Sequence, residues 1–219
     1  MPRTPDHHVA VEVRDLTVGY ERGKPVLDGF SANIDWGVVL VQGANGSGKS
    51  TLLEACSGYL PPWRGSVAIA GHDAATQGAR LRRRVCRTRQ SLYPSMTVRD
   101  HLAFATRSLR SDLQSALERA HHYGLEPWLD HEAKALSTGN SRKLWIILCT
   151  LGDFEVVLLD EPFNGLDESA SEMLLHDIER WGRDGAAVLI AHTPPVGLLA
   201  TQTVTVGAGA AANVSLDMV

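Results

Sequence analysis

Small residues, a lysine and several hydroxyl groups follow one another in the run GANGSGKST. From Gly43 to Ser50 the run matches the spacing G-x-x-x-x-G-K-[ST], between an apolar segment and a predicted helix. Glycines leave the backbone N–H groups of such a loop uncovered, so that they form an anion nest at a helix N-terminus. Lys49 is suited to neutralise β- and γ-phosphate charge, and Ser50 to ligate Mg²⁺. The predicted nucleotide-binding residues are Gly43, Ala44, Asn45, Gly46, Ser47, Gly48, Lys49, Ser50 and Thr51.

Two acids and a histidine end predicted buried strands. The run VVLL leads into Asp160 and Glu161, and AAVLIA leads into His192. Ligands of open parallel sheets bind at the carboxyl ends of the strands, so we expect these side chains to face the phosphate loop. Asp160 would orient the Mg²⁺ shell, Glu161 would orient or deprotonate a water, and His192 would contact the γ-phosphate. The alternative is a solvated strand end with a structural histidine. Beside a phosphate loop, hydrolysis of a nucleoside triphosphate is favoured.

A third candidate site is the polar run LSTGN, residues 136–140, which precedes a basic pair and the apolar run LWIILC. If the apolar part is helical, its first turn carries free N–H groups and small side chains. A helix start of this kind suits an anion. The alternative is a capped, buried helix without a ligand.

Composition and charge exclude several classes of protein. The chain has 219 residues, 44% of them hydrophobic, as in ordinary globular proteins. A net charge of -4 gives no reason to expect nucleic acid as a partner. The cysteines Cys56, Cys86 and Cys149 are widely spaced, which indicates reduced thiols in a cytosolic protein. We expect no secretory signal, because the N-terminal run MPRTPDHHVAVEV has no apolar h-region. We expect no membrane span, because no apolar run approaches the ~20 residues that a span requires.

Apolar runs that alternate with helical patterns predict an α/β fold with a parallel sheet. Strands are predicted at about residues 9–18, 30–36, 38–43, 65–71, 155–161 and 186–192, with one or two edge strands in 203–219. Helices are predicted at about 49–57, within 97–131 behind a capping box of Thr97 and Asp100, and at 168–181, where Gly182 should end the helix. We therefore expect one domain, residues 1–219, with a helical subdomain inserted at about 94–150.

The order of these features resembles the order of motifs in the ATP-binding-cassette (ABC) ATPase family over nearly the whole chain. The residues that carry the resemblance are the phosphate loop, the helical insert, LSTGN, LLDEP, NGLD and the strand-end histidine. The run LSTGNSRKL is similar to the family's signature, LSGGQ, with Thr138 and Asn140 as departures. The resemblance implies a P-loop core, antiparallel N-terminal strands and the inserted helices. It also implies that Ser137, Thr138, Gly139 and Asn140 bind the γ-phosphate of ATP held by a second subunit.

The resemblance assigns roles to three further residues. Tyr20, after the first strand, is similar to the aromatic residue that stacks on adenine. Gln90, in RTRQSLYP, is similar to the glutamine that joins Mg²⁺ and the attacking water. Asp167 ends NGLD, which is similar to the loop that couples the two sites of the dimer. A basic patch precedes Gln90, either a solvated face or a contact for an acidic partner loop or lipid headgroups; it comprises Arg80, Arg82, Arg83, Arg84, Arg87 and Arg89.

By resemblance, the function is that of the subunit that binds and hydrolyses ATP, with Mg²⁺, in an ABC transporter. Two copies, or this chain and a second ABC ATPase, would dimerise head to tail and drive separately encoded transmembrane permease subunits from the cytoplasmic face of the membrane. The residues of the signature and of EPFNGLD are more similar to those of export-type cassettes, which favours export. One alternative is a soluble ABC ATPase that remodels a protein assembly, for example in iron–sulfur cluster biogenesis. Another is a cassette that binds ATP and hydrolyses it slowly.

Overall fold

A computed structural model describes residues 9–207 and 213–215. The strands are β1 Val11–Val18, β2 Leu27–Ile34, β3 Gly37–Gln42, β4 Arg64–Ile69, β5 His72–Asp73, β6 Arg83–Cys86, β7 Val156–Asp160, β8 Ala186–Ile190, β9 Gln202–Thr205 and β10 Asn213–Ser215. The α-helices are α1 Lys49–Cys56, α2 Gln77–Arg82, α3 Val98–Leu109, α4 Leu113–His122, α5 Thr138–Cys149 and α6 Glu168–Asp184. Two 3-10 turns, Glu126–Trp128 and Ala133–Ala135, lie between α4 and α5.

The described strands form two sheets. One has the order β2-β1-β4-β5 and is antiparallel; the other has the order β10-β9-β3-β8-β7-β6. Strands β9, β3, β8, β7 and β6 run parallel, and β10 is antiparallel to β9. The runs VVLV, VVLL and AAVLI are buried along their length, because both faces of the parallel sheet are covered. The fold is the predicted α/β class, a parallel core sheet with antiparallel N-terminal strands.

The core divides at the parallel sheet. On one face, α1 and the antiparallel sheet pack against side chains such as Val39, Val41 and Leu158. On the other face, α5 and α6 cover side chains such as Val38 and Leu189. A third cluster joins α3, α4 and α5. Both α1 and α6 therefore begin at the sheet's carboxyl edge, directly after the candidate site residues.

The helical region of residues 97–131 has the predicted start but not one continuous helix. The hydroxyl of Thr97 accepts a hydrogen bond from the Asp100 N–H at 3.0 Å and donates to the Asp100 carboxylate at 2.7 Å. Arg110, with φ of 52°, ends α3 before Asp112 caps α4. Helical periodicity continues across this break because both helices contribute to the same core.

Gly182 does not end α6, so the predicted helix end is wrong. The helix continues to Asp184. A Cβ on Gly182 would lie 2.5 Å from the Val38 side chain, so this glycine provides a close contact between helix and sheet. The predicted tail strands correspond to β9 and β10. Strand β9 is interior, between β3 and β10, while residues 208–212 and 216–219 of the predicted tail lie outside the described part of the chain.

The interpretation of the basic patch as a solvated face is wrong for its central members. Arg83 is 6% exposed and donates hydrogen bonds to the carbonyls of Ser57 and Ala74. Arg84 donates to the carbonyl of Leu151 at 2.8 Å. Arg87 forms a bidentate pair with Glu54 at 2.7 Å for both contacts. The physical reason is that residues 83–86 form β6, whose arginines pack against the body of the protein. Arg80 and Arg89 are exposed.

Candidate nucleotide site

The phosphate loop connects β3 to α1 through glycines in unusual backbone conformations. Gly48, which precedes α1, has φ of 102° and leaves the helix start without a side-chain cap. A Cβ there would lie 2.7 Å from the Leu27 side chain. Gly46, with φ of 77°, has open space where a Cβ would be. The first N–H groups of α1 are therefore free to bind an anion.

Lys49 is a buried cation without a carboxylate partner among the described residues. Its side chain lies against the loop, and Nζ donates hydrogen bonds to the carbonyls of Gly43 at 2.8 Å and Ala44 at 3.0 Å. The residue is only 8% exposed. The hydroxyl oxygen of Ser47 is also buried and has no hydrogen-bond partner in the described structure. Burying such groups is costly unless they are paired. A bound phosphate would supply the missing negative charge and acceptors, so these residues fit a nucleotide.

Carboxylates and a histidine meet the phosphate loop in one cleft. The cleft has a volume of about 410 Å³ and lies at the carboxyl edge of the parallel sheet. Its lining residues are Tyr20, Val26, Asn45, Gly46, Gly48, Lys49, Ser50, Thr51, Thr88, Asp160, Glu161, Ile190 and His192. The hydroxyl of Ser50 and the carboxylate of Asp160 are oxygen ligands of the kind that Mg²⁺ prefers. The predicted convergence of loop, acids and histidine is present in the structure.

Glu161 has an unusual backbone, since its φ is +47°. Its N–H donates to the carbonyl of Ile190 at 2.9 Å, which holds it beside β8. One carboxylate oxygen accepts a hydrogen bond from the His192 N–H at 3.2 Å, and the other lies 3.9 Å from His192 Nε2. The Glu161 side chain is 15% exposed, so it is largely shielded while still lining the cleft.

Tyr20 and Gln90 differ in their relation to the cleft. Tyr20 lines it and is 65% exposed, so its ring has a free face available for stacking. Gln90 is half-buried but is not among the described residues that line the cleft. Thr88, two residues earlier, takes that place, and its hydroxyl donates to the Asp160 carbonyl at 3.2 Å. Sequence reasoning missed Thr88 because only the pairing of β6 with β7 brings it there.

The polar run at residues 137–140 lies outside this cleft. Ser137 caps α5 by accepting a hydrogen bond from the Asn140 N–H at 3.1 Å, and both Ser137 and Thr138 are exposed. A Cβ on Gly139 would lie 3.1 Å from the Gly165 carbonyl, so α5 begins against the NGLD loop. The start of α5 is therefore capped and exposed, and residues 137–140 do not line the cleft that contains the phosphate loop.

Asp167 links the start of α6 to α5. Its carboxylate caps α6 by accepting from the Ala170 N–H at 2.8 Å, and it pairs with Lys143 Nζ at 2.7 Å. The hydrogen bond from Lys143, followed by the backbone N–H of Ala170, lowers the pKa of Asp167 below its usual value. Sequence reasoning placed Asp167 but not its partner. The sequence showed Lys143 in the basic pair after LSTGN but assigned no role to it.

The order of these motifs along the chain identifies the family. A family model described as "ABC transporter" matches residues 27–164, more than half of the chain. The chain belongs to the ABC transporter family. Among relatives, a putative ABC transporter ATP-binding protein of Pyrococcus furiosus is 32% identical over 191 residues, which cover 83% of this chain and 74% of that protein.

Other ABC proteins share the sequence and the fold. ATP-binding cassette sub-family A member 7 of Rattus norvegicus is 33% identical over 188 residues, 81% of this chain but 9% of that protein. The chain thus spans about a tenth of that relative's length. A solved structure of the ATP-binding subunit of an ABC transporter superposes with a TM-score of 0.85 and 26% identity, covering 95% of this chain and 90% of that one. By family and fold, the chain is an ABC ATPase and the ATP-binding subunit of a transporter.

Proposed function

We propose that the chain hydrolyses ATP in this cleft, with Mg²⁺ held by Ser50, Asp160 and Gln90. The convergence of Lys49, Asp160, Glu161 and His192 on one cleft carries the proposal. Bound Mg²⁺ would supply charge neutralisation at the β- and γ-phosphates. Gln90 would have to move toward the cleft to take part, because it does not line the cleft in this structure.

Each remaining residue has a distinct task in this proposal. Tyr20 stacks on the adenine ring, using its exposed face. The N–H groups at the start of α1 bind the phosphates, and Lys49 exchanges its two loop carbonyls for phosphate oxygens. Glu161 orients the attacking water or accepts its proton, and His192 contacts the γ-phosphate. The His192 N–H holds one Glu161 oxygen, which leaves the other available to a water.

The proposal includes a head-to-tail dimer, formed by two copies or with a second ABC ATPase. Ser137, Thr138, Gly139 and Asn140 present the start of α5 outside the chain's own cleft. Small side chains and free N–H groups at a helix N-terminus suit a phosphate. A second protomer that faces this surface would bring its own ATP to them. Asp167, beside this surface, would couple the two sites.

We further propose that the chain is peripheral on the cytoplasmic face of a membrane and drives separate permease subunits. No described helix has the length and apolar composition needed to cross a bilayer. The Pyrococcus furiosus relative, of which this chain covers 74%, is named a putative ABC transporter ATP-binding protein. Export is the proposed direction, supported by the style of residues 137–144 and 161–167. The competing function, remodelling of a soluble assembly, has no support among these relatives.

A pull-down from native membranes tests the proposal. The tagged chain is solubilised in mild detergent, captured in the presence of ATP, and the co-purifying proteins are identified. Membrane proteins with several spans, together with ATPase activity in the captured complex, are the expected result. A soluble β-rich scaffold in their place would support the remodelling function. Captured complexes without ATPase activity would contradict the assignment of the cleft.

A further inference from the structure

We propose that Arg142 is the positioning residue that holds Glu161 in its working conformation and ties it to the start of α5. The proposal rests on the proposed function, in which Glu161 acts on water. Arg142 lies in the first half of α5 and is 2% exposed. It belongs to the basic pair that follows LSTGN, whose second member, Lys143, pairs with Asp167.

The Arg142 guanidinium donates hydrogen bonds to backbone carbonyls of two segments that border the cleft. Nη2 donates to the carbonyls of Glu161 at 2.9 Å and Asp160 at 3.2 Å. Nη1 donates to the carbonyls of Arg87 at 2.9 Å and Thr88 at 3.2 Å. Nε lies 3.3 Å from the carbonyl of Pro162. One side chain thus connects the end of β7, the segment after β6, and α5.

The contacts of Arg142 are unusual for a buried charge. Among the described residues no carboxylate lies within ion-pairing distance of its guanidinium, and carbonyl oxygens alone offset its burial. A buried cation requires several well-placed acceptors, and the planar fork of arginine fixes their directions as a lysine cannot. The carbonyls that it binds are therefore held in a defined arrangement. Two of them belong to Asp160 and Glu161, the acids of the cleft.

Glu161 requires such support because its backbone is in the left-handed region, with φ of +47°. Residues other than glycine rarely adopt this backbone conformation, and they keep it only where several contacts enforce it. Here the Glu161 N–H donates to Ile190, and the Glu161 carbonyl accepts from Arg142 at 2.9 Å and from the Asn164 N–H at 3.3 Å. The turn directs the carboxylate toward His192 and the cleft. Without Arg142, the carbonyl keeps only the longer contact.

The position of Arg142 on α5 gives the contact a second role. Residues 137–140 form the start of the same helix, roughly one turn before Arg142. In the proposed dimer this start meets the partner's ATP, while Glu161 acts on the chain's own ATP. Arg142 therefore transmits a displacement of α5 to the acid of the opposite site. Its contact with the Thr88 carbonyl extends the link to the segment that leads to Gln90.

The test compares R142M and R142K with matched variants of a second buried arginine. Arg83 is 6% exposed and also donates to carbonyls, those of Ser57 and Ala74, but contacts neither acid. Steady-state ATP hydrolysis gives kcat and KM, and a labelled ATP gives Kd. We expect R142M to lower kcat by roughly 100-fold, since misplacing a catalytic group by about 1 Å has that effect, with Kd changed less than twofold. R142K should recover part of the loss. R83M and R83K should lower the unfolding temperature comparably while kcat stays within a few fold.

A double-mutant cycle with E161Q separates positioning from general damage. Because Arg142 acts through Glu161, adding R142M to E161Q should reduce the remaining rate by less than twofold. Full additivity, an unchanged kcat in R142K and R142M, or equal losses in the Arg83 variants would each overturn the proposal. If R142M does not fold, R142K and the R142K/E161Q pair decide the question. An inactive wild-type protein would instead refute the proposed ATP hydrolysis.

Discussion

At the scale of single residues, the site consists of polar groups that the fold alone does not satisfy. Lys49 is buried against two loop carbonyls, and the hydroxyl of Ser47 has no partner in the described structure. Glu161 keeps a disfavoured backbone conformation. Strain and unpaired polar groups tend to concentrate where a protein binds or reacts. In the proposed function, a phosphate bound in the cleft supplies the partners that Lys49 and the Ser47 hydroxyl lack.

Lys49→Ala should weaken ATP binding by about two orders of magnitude. The substitution removes a charge-assisted contact of about 3 kcal/mol with the phosphates. Titration with a fluorescent ATP measures the change in Kd. The control is Lys134→Ala, because Lys134 is exposed and pairs with Glu132 on the surface. Retained wild-type affinity in Lys49→Ala would show that the phosphates bind elsewhere.

Glu161→Gln should lower turnover by about 1,000-fold and leave ATP binding intact. The amide can still accept the His192 N–H but cannot accept a proton from water, and a general base contributes about 10²–10⁴-fold. Phosphate release measures turnover, and size-exclusion chromatography with ATP should show an accumulated dimer. Glu126→Gln, at an exposed residue paired with His121, is the control. Unchanged hydrolysis in Glu161→Gln would remove Glu161 from the role of base.

At the scale of elements, the sequence predicted the strands whose positions follow from local residue composition. Continuous apolar runs predicted β3, β7 and β8, because a parallel sheet covered on both faces selects such runs. Strand β6 was missed because RRVC carries two arginines, whose side chains donate to carbonyls distant in sequence. The end of α6 was misplaced because Gly182 serves a contact with Val38 rather than a turn.

The same reasoning explains which site residues sequence patterns could predict. The phosphate loop and the acids after β7 follow local rules, so sequence patterns could predict Lys49, Asp160 and Glu161, which the structure brings to one cleft. The Thr88 hydroxyl donates to the carbonyl of Asp160, 72 residues away, and the Arg142 side chain donates to carbonyls 18 to 55 residues away. Neither periodicity nor motif spacing records such a contact. Their roles became visible only when strand order placed β6 beside β7.

Asp167→Ala should destabilise the protein by about 1 kcal/mol, because it removes the cap of α6. Urea unfolding measures the change, and Asp112→Ala, which removes the cap of α4, is the matched control. The ion pair with Lys143 adds a pH dependence that depends on Asp167 being ionised. Since folding lowers the pKa of Asp167 below its usual value, this contribution is present above the unfolded-state pKa and is lost as the pH falls through the folded-state pKa. A stability difference between wild type and Asp167→Ala that persists undiminished in strong acid would contradict this charge effect.

At the scale of the whole molecule, the two ends of the proposed reaction lie on different surfaces of one chain. The cleft contains the phosphate loop and the acids, whereas residues 137–140 lie outside it. In the proposed dimer, each chain therefore supplies two half-sites. Arg142, through the carbonyls of the two acids, connects the cleft to α5 inside the protomer. We expect hydrolysis in such an arrangement to be cooperative. ATP bound at one site would displace α5, and this displacement would change the position of Glu161 at the opposite site.

Ser137→Arg tests this arrangement. The exposed Ser137 hydroxyl caps α5, and a long cationic side chain there would block the approach of a second protomer's phosphates. We expect ATP binding by the monomer to stay within twofold of wild type, because residue 137 lies outside the chain's own cleft. ATP-dependent dimerisation and cooperative turnover should both be lost, as measured by light scattering and by the dependence of the rate on protein concentration.

The control for Ser137→Arg is Ser108→Arg, at an exposed serine on α3 away from both half-sites. It introduces the same side chain and should retain both dimerisation and turnover. Ser137→Ala adds a second comparison, since it removes the cap of α5 without adding bulk and should cost only about 1 kcal/mol of stability. If Ser137→Arg hydrolyses ATP at the wild-type rate, residues 137–140 do not contact a partner's ATP, and hydrolysis is completed within one chain.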